Sequence, residues 1–229
     1  FKGRVNLSSG NFGNRNLHSW VGYGNDYLGL VAETFQHQAD GFKTLPNGDP
    51  TGFDKRDYLL KFRLNTGPDA RIFQSLTFKA GQVSEQSHET YLGLSREDFE
   101  EDPYQRYAAS QKDLMTTSQE QLSLKYTIQP LTNLQVNLTA YRNRFSRNWY
   151  KLDKVRAAAG GSLYGIADIL DAPEDFFSAY SLLKGTTADF GDPLWVKANN
   201  RTYESRGLQL LTEWRKTGEK VGHHILLGL

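Results

Sequence analysis

The stretch LQVNLTAYRNRFSRNWY, residues 134–150, alternates apolar and polar side chains far longer than a strand of an ordinary soluble domain, which runs about 5–6 residues. A two-residue period sends successive side chains to opposite faces of a sheet. Here Leu134, Val136, Leu138 and Ala140 form an apolar set, and Gln135, Asn137 and Thr139 a polar one. The same division recurs in Tyr58, Leu60, Phe62 and Leu64 against Lys61, Arg63 and Asn65. It recurs again in Leu122, Leu124, Tyr126 and Ile128 against Ser123, Lys125 and Thr127. A sheet built this way needs an apolar medium on one face and water on the other.

About nine segments carry the period: 2–9, 15–23, 27–39, 57–66, 70–81, 119–129, 133–148, 203–215 and 221–229. The faces of 27–39 and 221–229 are less cleanly divided. Short turns at 24–26, 66–69, 129–133 and 216–220, rich in Gly, Pro, Asn and Asp, alternate with long connections at about 40–56, 82–118 and 149–202. Only SSGNFGN (8–14) is a short loop on the long-loop side. Tight turns at one end and long excursions at the other are the pattern of a transmembrane β-barrel. Soluble sandwiches spread their loops over both ends. The predicted fold is therefore all-β: an antiparallel meander forming part of a transmembrane barrel, with short helices in long extracellular loops.

Hydrocarbon enforces this architecture, because every backbone N–H and C=O inside it must be paired within the protein. A tilted strand crosses in about 9–11 residues, so 133–148 is long enough to cross and continue beyond. Arg142, Arg144 and Arg147 mark the exit, since a cation on the lipid face costs about 2–4 kcal/mol at mid-bilayer and little at the interface. No apolar run reaches the length of a membrane helix. The charges nearly cancel, 27 basic against 26 acidic, so no basic surface points to a nucleic-acid partner. There is no cysteine, hence no disulfide framework and no thiolate metal site. The chain starts at Phe1 and ends in HHILLGL, like a strand cut in mid-course, and is expected to be an internal piece of a longer protein.

Two long loops should hold helices. In LSREDFEEDPYQRY, Ser95 suits an N-cap, Asp98 three residues on completes a weaker version of the capping box, and Pro103 stops the helix. In DAPEDFFSAYSLLKG, Pro173 suits the first turn and Gly185 the stop.

ETYLGLSREDFEEDPYQRYAAS, followed by a strand, the QPLTN turn and NLQVNLTAYRNRFSRNWYKL, resembles the barrel of a TonB-dependent outer-membrane receptor of the ferric-dicitrate or ferric-siderophore type. GNFG near the start and TYESRGLQLLTEW also fit that family, and the likeness covers most of 1–150 and, more loosely, 200–229. It implies a barrel of about 22 strands with a plug domain in its lumen. It further implies residence in the bacterial outer membrane, capture of an iron complex at the cell surface, and import driven by TonB through the plug. On this comparison residues 1–229 are the N-terminal part of the barrel domain, with plug and C-terminal strands outside the chain.

Arg96, Tyr104, Arg106, Tyr107 and Trp149 near the outer ends suit an anionic or aromatic iron complex, because guanidinium and ring faces bind such groups. Tyr141, Asn143 and Phe145 should face the lumen and line the ligand's vestibule. Arg142 and Arg144 share the other face and are better placed for lipopolysaccharide phosphates. The acidic run Glu97, Asp98, Glu100, Glu101 and Asp102 lacks calcium-loop spacing and reads as a solvated loop face. His223 and His224 are adjacent and so point to opposite faces, and no metal site is assigned. No GxSxG elbow, P-loop or dinucleotide fingerprint is present, so no catalytic residue or resident cofactor is assigned and the chain is not expected to be an enzyme. A passive porin-like barrel, or a soluble all-β carbohydrate-binding module, would use many of the same strands.

Overall fold

The computed structural model of the chain describes residues 1–88, 90–218 and 221–229. Its strands are β1 (Lys2–Ser9), β2 (Arg15–Gly24), β3 (Leu28–Ala39), β4 (Phe53–Asn65), β5 (Phe73–Ser87), β6 (Leu114–Leu131), β7 (Leu134–Arg156), β8 (Leu163–Gly165), β9 (Leu194–Thr217) and β10 (Gly222–Gly228). They form one antiparallel sheet in the order β1-β2-β3-β4-β5-β6-β7-β9-β10, with the three-residue β8 paired to the top of β7. This is the expected meander.

The register sorts the side chains into two continuous faces. Leu30, Phe62, Leu76, Tyr126, Leu138 and Leu210 belong to the apolar face, which runs across β3 to β9. Leu60, Leu64, Leu122, Leu124 and Leu138 on that face are each more than 40% exposed, so no described part of the chain covers it. The opposite face is polar. Among the described residues no helix is long and apolar enough to cross a membrane, which leaves crossing by strands untouched.

The tight turns step along the register. The β2–β3 turn closes at Gly24–Gly29, in line with Thr139, while the β9–β10 turn closes at Thr217–Gly222, well past the level of Leu134. The stagger is a little more than about one residue per strand. With strands about 4.8 Å apart and a rise of about 3.3 Å per residue, it tilts the strands by about 40°, as barrel closure requires.

Several strands exceed their predicted bounds. β4 starts four residues earlier than expected, β5 is displaced upward, and β6, β7 and β9 reach 18, 23 and 24 residues. Their upper segments are rich in Gln, Ser, Thr, Asn and charged residues on both faces, so no apolar alternation announces them. The backbone ladder alone carries them upward. At the turn expected at 216–220, Gly218 N donates to Val221 O at 3.0 Å, and Glu219 and Lys220 lie outside the described residues.

The connections at this upper end gather into a cap. It contains α1 (Arg96–Glu101), a 3₁₀ turn (Ala108–Ser110), α2 (Ile166–Asp171) and α3 (Phe177–Lys184). Ser95 caps α1 as predicted, its Oγ accepting from Asp98 N at 3.3 Å. The reciprocal half of the capping box is absent, because the Asp98 carboxylate turns inward instead. Gly185 ends α3 with φ 111°, a conformation that favours glycine. Pro173 lies between α2 and α3 rather than in the first turn of α3, and α2 was not anticipated.

Leu92, Tyr107, Leu152, Val155, Ile169, Ala179, Leu182 and Leu183 form the buried core of this cap. Apart from Leu45, they are all the buried apolar side chains among the described residues. A register shift between Leu152 and Lys154 lets Leu152 and Val155, three apart, both enter that core, which a regular strand would forbid. Full burial of a residue such as Leu183 contributes about 1.5–3 kcal/mol. The loop at 40–52 joins the cap through a parallel bridge from Thr44 to Gln105 and an edge-on Phe42–Tyr104 contact. The short loop at 10–14 joins it through Asp40 N to Phe12 O, 2.8 Å, and an edge-on contact between Phe12 and Phe42.

Candidate functional site

On β7 the odd-numbered residues Tyr141, Asn143, Phe145, Arg147, Trp149 and Lys151 form a column on the polar face, rising from the wall to the cap. The alternation places Tyr141, Asn143 and Phe145 together there, on the face opposite Arg142 and Arg144. Phe145 stacks on Tyr203 of β9, with ring centroids 6.2 Å apart. Above it, Arg147 stands opposite Arg201 and Lys151 opposite Lys197. Like charges directly opposed across strands are destabilising. Lys197 has a remote acidic neighbour in Asp153 at 3.9 Å. Trp149 meets Tyr91 of the cap edge-on at 5.0 Å, and Lys151 Nζ lies 3.2 Å from the Tyr91 ring centre and 4.3 Å from that of Trp149. The upper polar face thus combines cations with aromatic faces, a composition that binds anions carrying π-systems.

One member of the column packs on the wall itself. The Tyr141 ring lies over Gly207, whose added Cβ would come within 2.9 Å of the hydroxyl. The Asn143 Oδ1 is buried without a hydrogen-bond partner, as is the Arg147 Nε.

The other expected ligand residues are dispersed. Arg96 is exposed on α1 and pairs with Glu100 at 3.1 Å. Tyr104 is 55% exposed on the cap. Arg106 Nη1 donates to Pro103 O at 3.0 Å, and burial pushes its pKa down. Tyr107 is the correction: at 4% exposure it is a core residue of the cap and presents nothing to a ligand. Its hydroxyl donates to Asp98 Oδ2 at 2.6 Å and accepts from Ser95 N at 2.9 Å. Burial raises the pKa of that hydroxyl strongly, helped by the bond to Asp98.

Asp98 also departs from the solvated face expected of its acidic run. It is 3% exposed and receives Tyr107 OH, Tyr180 OH and, at 3.0 Å, Lys184 Nζ. Burial pushes its carboxyl up, but the three donors outweigh burial and hold it below the usual carboxylate range. The bond to Asp98 in turn raises Lys184. One carboxylate therefore ties α1 in one loop to α3 in another. Asp113 is a second buried carboxylate, raised by burial, which accepts from Tyr91 N and Leu152 N and fastens the cap to β7.

On the apolar side, Arg142 and Arg206 are opposed across β7 and β9 just above the apolar residues, and Arg144 faces Glu204. Arg142 Nη2 reaches Glu204 Oε2 at 3.0 Å on the exposed surface. No group of three or more His, Cys, Asp or Glu is arranged for a metal among the described residues.

The sequence matches no protein-family model, and no curated protein resembles it at the sequence level. In three dimensions the chain superposes on Fiu, a ferric-catecholate import receptor of E. coli K12 solved in an open form. The TM-score is 0.59 with 9% identity, and the match covers 95% of this chain. The fold is a partial β-barrel wall. This chain spans 32% of that receptor's length.

Tyr91, Lys197, Arg201 and Tyr203 were missed by sequence reasoning. Residues 194–202 carry no apolar alternation and read as loop, so their pairing with the top of β7 was invisible. Tyr91 reaches Trp149 only through the fold of the cap.

Proposed function

We propose that this chain is part of the barrel of an outer-membrane transporter that takes up a ferric siderophore with energy supplied by TonB. The observation that carries this proposal is the cationic, aromatic column beneath the cap, where Arg147, Arg201 and Lys151 stand beside Phe145, Tyr203, Trp149 and Tyr91. An anionic iron complex with aromatic groups matches it, as charge neutralisation relieves the opposed cations and ring faces accept its π-systems. The superposition on a ferric-catecholate import receptor supports the same class of cargo. The iron complex is cargo, and no resident cofactor is proposed.

In this setting the apolar face meets outer-membrane lipid, and Arg142, Arg144 and Arg206 at its upper edge meet lipopolysaccharide phosphates. Arg96, Tyr104 and Arg106 belong to the cap's outer surface, where the complex first arrives. TonB acts through a plug domain within the closed barrel, of which residues 1–229 are the first strands. Uptake of ⁵⁵Fe as ferric dicitrate and as a ferric catecholate, in cells making the full-length protein with and without TonB, tests the proposal. TonB-dependent accumulation of one of them, lowered by Arg147→Ala with Arg201→Ala, is the expected result. TonB-independent flux of small solutes would make the chain part of a passive barrel.

A further inference from the structure

Three aromatic side chains from three different connections meet on the surface of the cap, and each stays more than half exposed. They are Phe12 between β1 and β2, Phe42 between β3 and β4, and Tyr104 between β5 and β6. Phe42 stands in the middle, its ring centre 6.1 Å from that of Phe12 and 6.0 Å from that of Tyr104. Packing alone does not account for a row that buries so little of each ring, and exposed apolar clusters mark contact sites. Phe12 is held at φ 59°, a left-handed conformation that a bulky side chain rarely adopts. Such strain persists only where the surrounding structure enforces it, and it gathers at ligand sites. Beside the row, Phe12, Phe42 and Phe53 wall a cleft of about 230 Å³. Asn11 and Asn14 bring amides to it, and Lys43, whose Nζ lies 5.9 Å from the Phe42 ring centre, is the one charged residue among the described ones that line it. The cleft is rigidly built: Asp40 N donates to Phe12 O at 2.8 Å and Thr51 Oγ1 to Lys43 O at 2.9 Å. A Cβ at Gly52 would lie 1.8 Å from Ala39 O, so the two limbs of that loop touch. Phe53 shares its row with Ser87, Met115 and Trp149, which puts the cleft on the polar side of the sheet, three strands from Trp149.

We infer that this row and cleft bind a soluble, neutral oligosaccharide. The inference goes beyond the transporter proposal and does not depend on it. A sugar ring has apolar C–H faces bounded by hydroxyls, so it is held by aromatic surface with amides beside it, and the cleft offers both. The rings meet at 62° and 89°, which makes a stepped surface suited to chair-shaped sugars rather than to one flat aromatic ligand. Pockets for drug-sized compounds run about 300–1,000 Å³, so this smaller cleft takes one sugar unit and leaves its neighbours to the row. An anionic iron complex is better served by the column at Arg147, Lys151 and Arg201, with several cations against the cleft's one. A protein partner would need about 800 Å² on this side, and three half-exposed rings offer roughly 300 Å². The apolar face lies on the other side of the sheet, so a sugar reaches the cleft from solution.

Titration calorimetry on the full-length protein in a sugar-free detergent tests this, with cellohexaose and maltohexaose as probes. Phe12→Asn removes a ring but places there a residue that tolerates the left-handed conformation, so its thermal midpoint should not fall below the parent's. Phe42→Ala removes the middle ring. The expected result is that at least one of the two hexasaccharides binds and that each substitution weakens it about tenfold. No binding of either sugar at millimolar concentration would overturn the inference. Binding that both variants retain would overturn it too, because the sugar would then lie elsewhere. Ferric dicitrate and a ferric catecholate are titrated into the same samples. Displacement of the sugar by either would assign the cleft to the iron complex and overturn the inference. Sugar binding that depends on Phe12 and Phe42, with no binding of either iron complex, would support it and count against the transporter proposal instead.

Discussion

Wall and cap are built by opposite rules. In the wall, large apolar side chains point away from the protein, and Leu122, Leu124 and Leu208 stay 45%, 44% and 73% exposed. In the cap, Val155, Ile169 and Leu183 are fully buried, as in any soluble domain. The wall owes its order to a ladder of backbone hydrogen bonds, the cap to a core assembled from residues far apart in sequence. The wall leaves its apolar face uncovered by the described chain, whereas the cap folds against itself.

Substitutions should divide along the same line. Leu183→Asp is the largest expected effect: a charge in the cap core should let protease cut within residues 157–193 while the wall stays paired and inserted. Leu183→Ala should cost about 2–5 kcal/mol of cap stability, and Leu124→Ala on the wall far less. Thermal scans of cap-specific protease protection would register the difference.

Next comes Asp98→Ala, which strands the Tyr107 hydroxyl in the core and should cost about 1–3 kcal/mol. Asp98→Asn gives a pH signature. The folded-state pKa of Asp98 is depressed, so its contribution is present above the ordinary carboxylate range and is lost as pH falls through its folded value. The gap in cap protection between the parent and Asp98→Asn should be full at neutral pH and shrink below about pH 4. Asp113, raised by burial, has the opposite sign and is common to both proteins, so it does not create that gap.

Smaller again is Tyr141→Ala. It uncovers Gly207 and should weaken the β7–β9 pair by about 0.2–1 kcal/mol, seen as faster amide exchange at that level with the cap unchanged. Smallest is Arg142→Ala, which breaks an exposed pair with Glu204 and should leave the denaturation midpoint where it was.

The wall was legible in sequence because its period is local. Apolar residues at Tyr58 to Leu64 and Leu122 to Ile128 announce a face, and the turn at 129–133 fixes the register. The upper strands were not legible, because residues such as Asn199 to Thr202 are polar on both faces and nothing alternates. The cap core was hidden for a different reason. Tyr107, Leu152, Ile169 and Leu183 share no local pattern, and only the tertiary fold brings them together. The same holds for the column under the cap: Tyr141, Asn143 and Phe145 followed from alternation, but Trp149, beyond the expected end of the strand at 148, its β9 half and Tyr91 did not. Asp98 looked like one acid among five in an exposed run, and only its three partners distinguish it.

The most direct measurement places single cysteines from Gln135 to Asn143 in the full-length protein, each carrying a polarity-sensitive dye, in membranes containing lipid-borne quenchers. Strong quenching at Val136, Leu138 and Ala140, weak quenching at Gln135, Asn137 and Thr139, and loss of quenching by Arg142 is the predicted result. Uniformly weak quenching along the whole strand would contradict a wall that faces lipid.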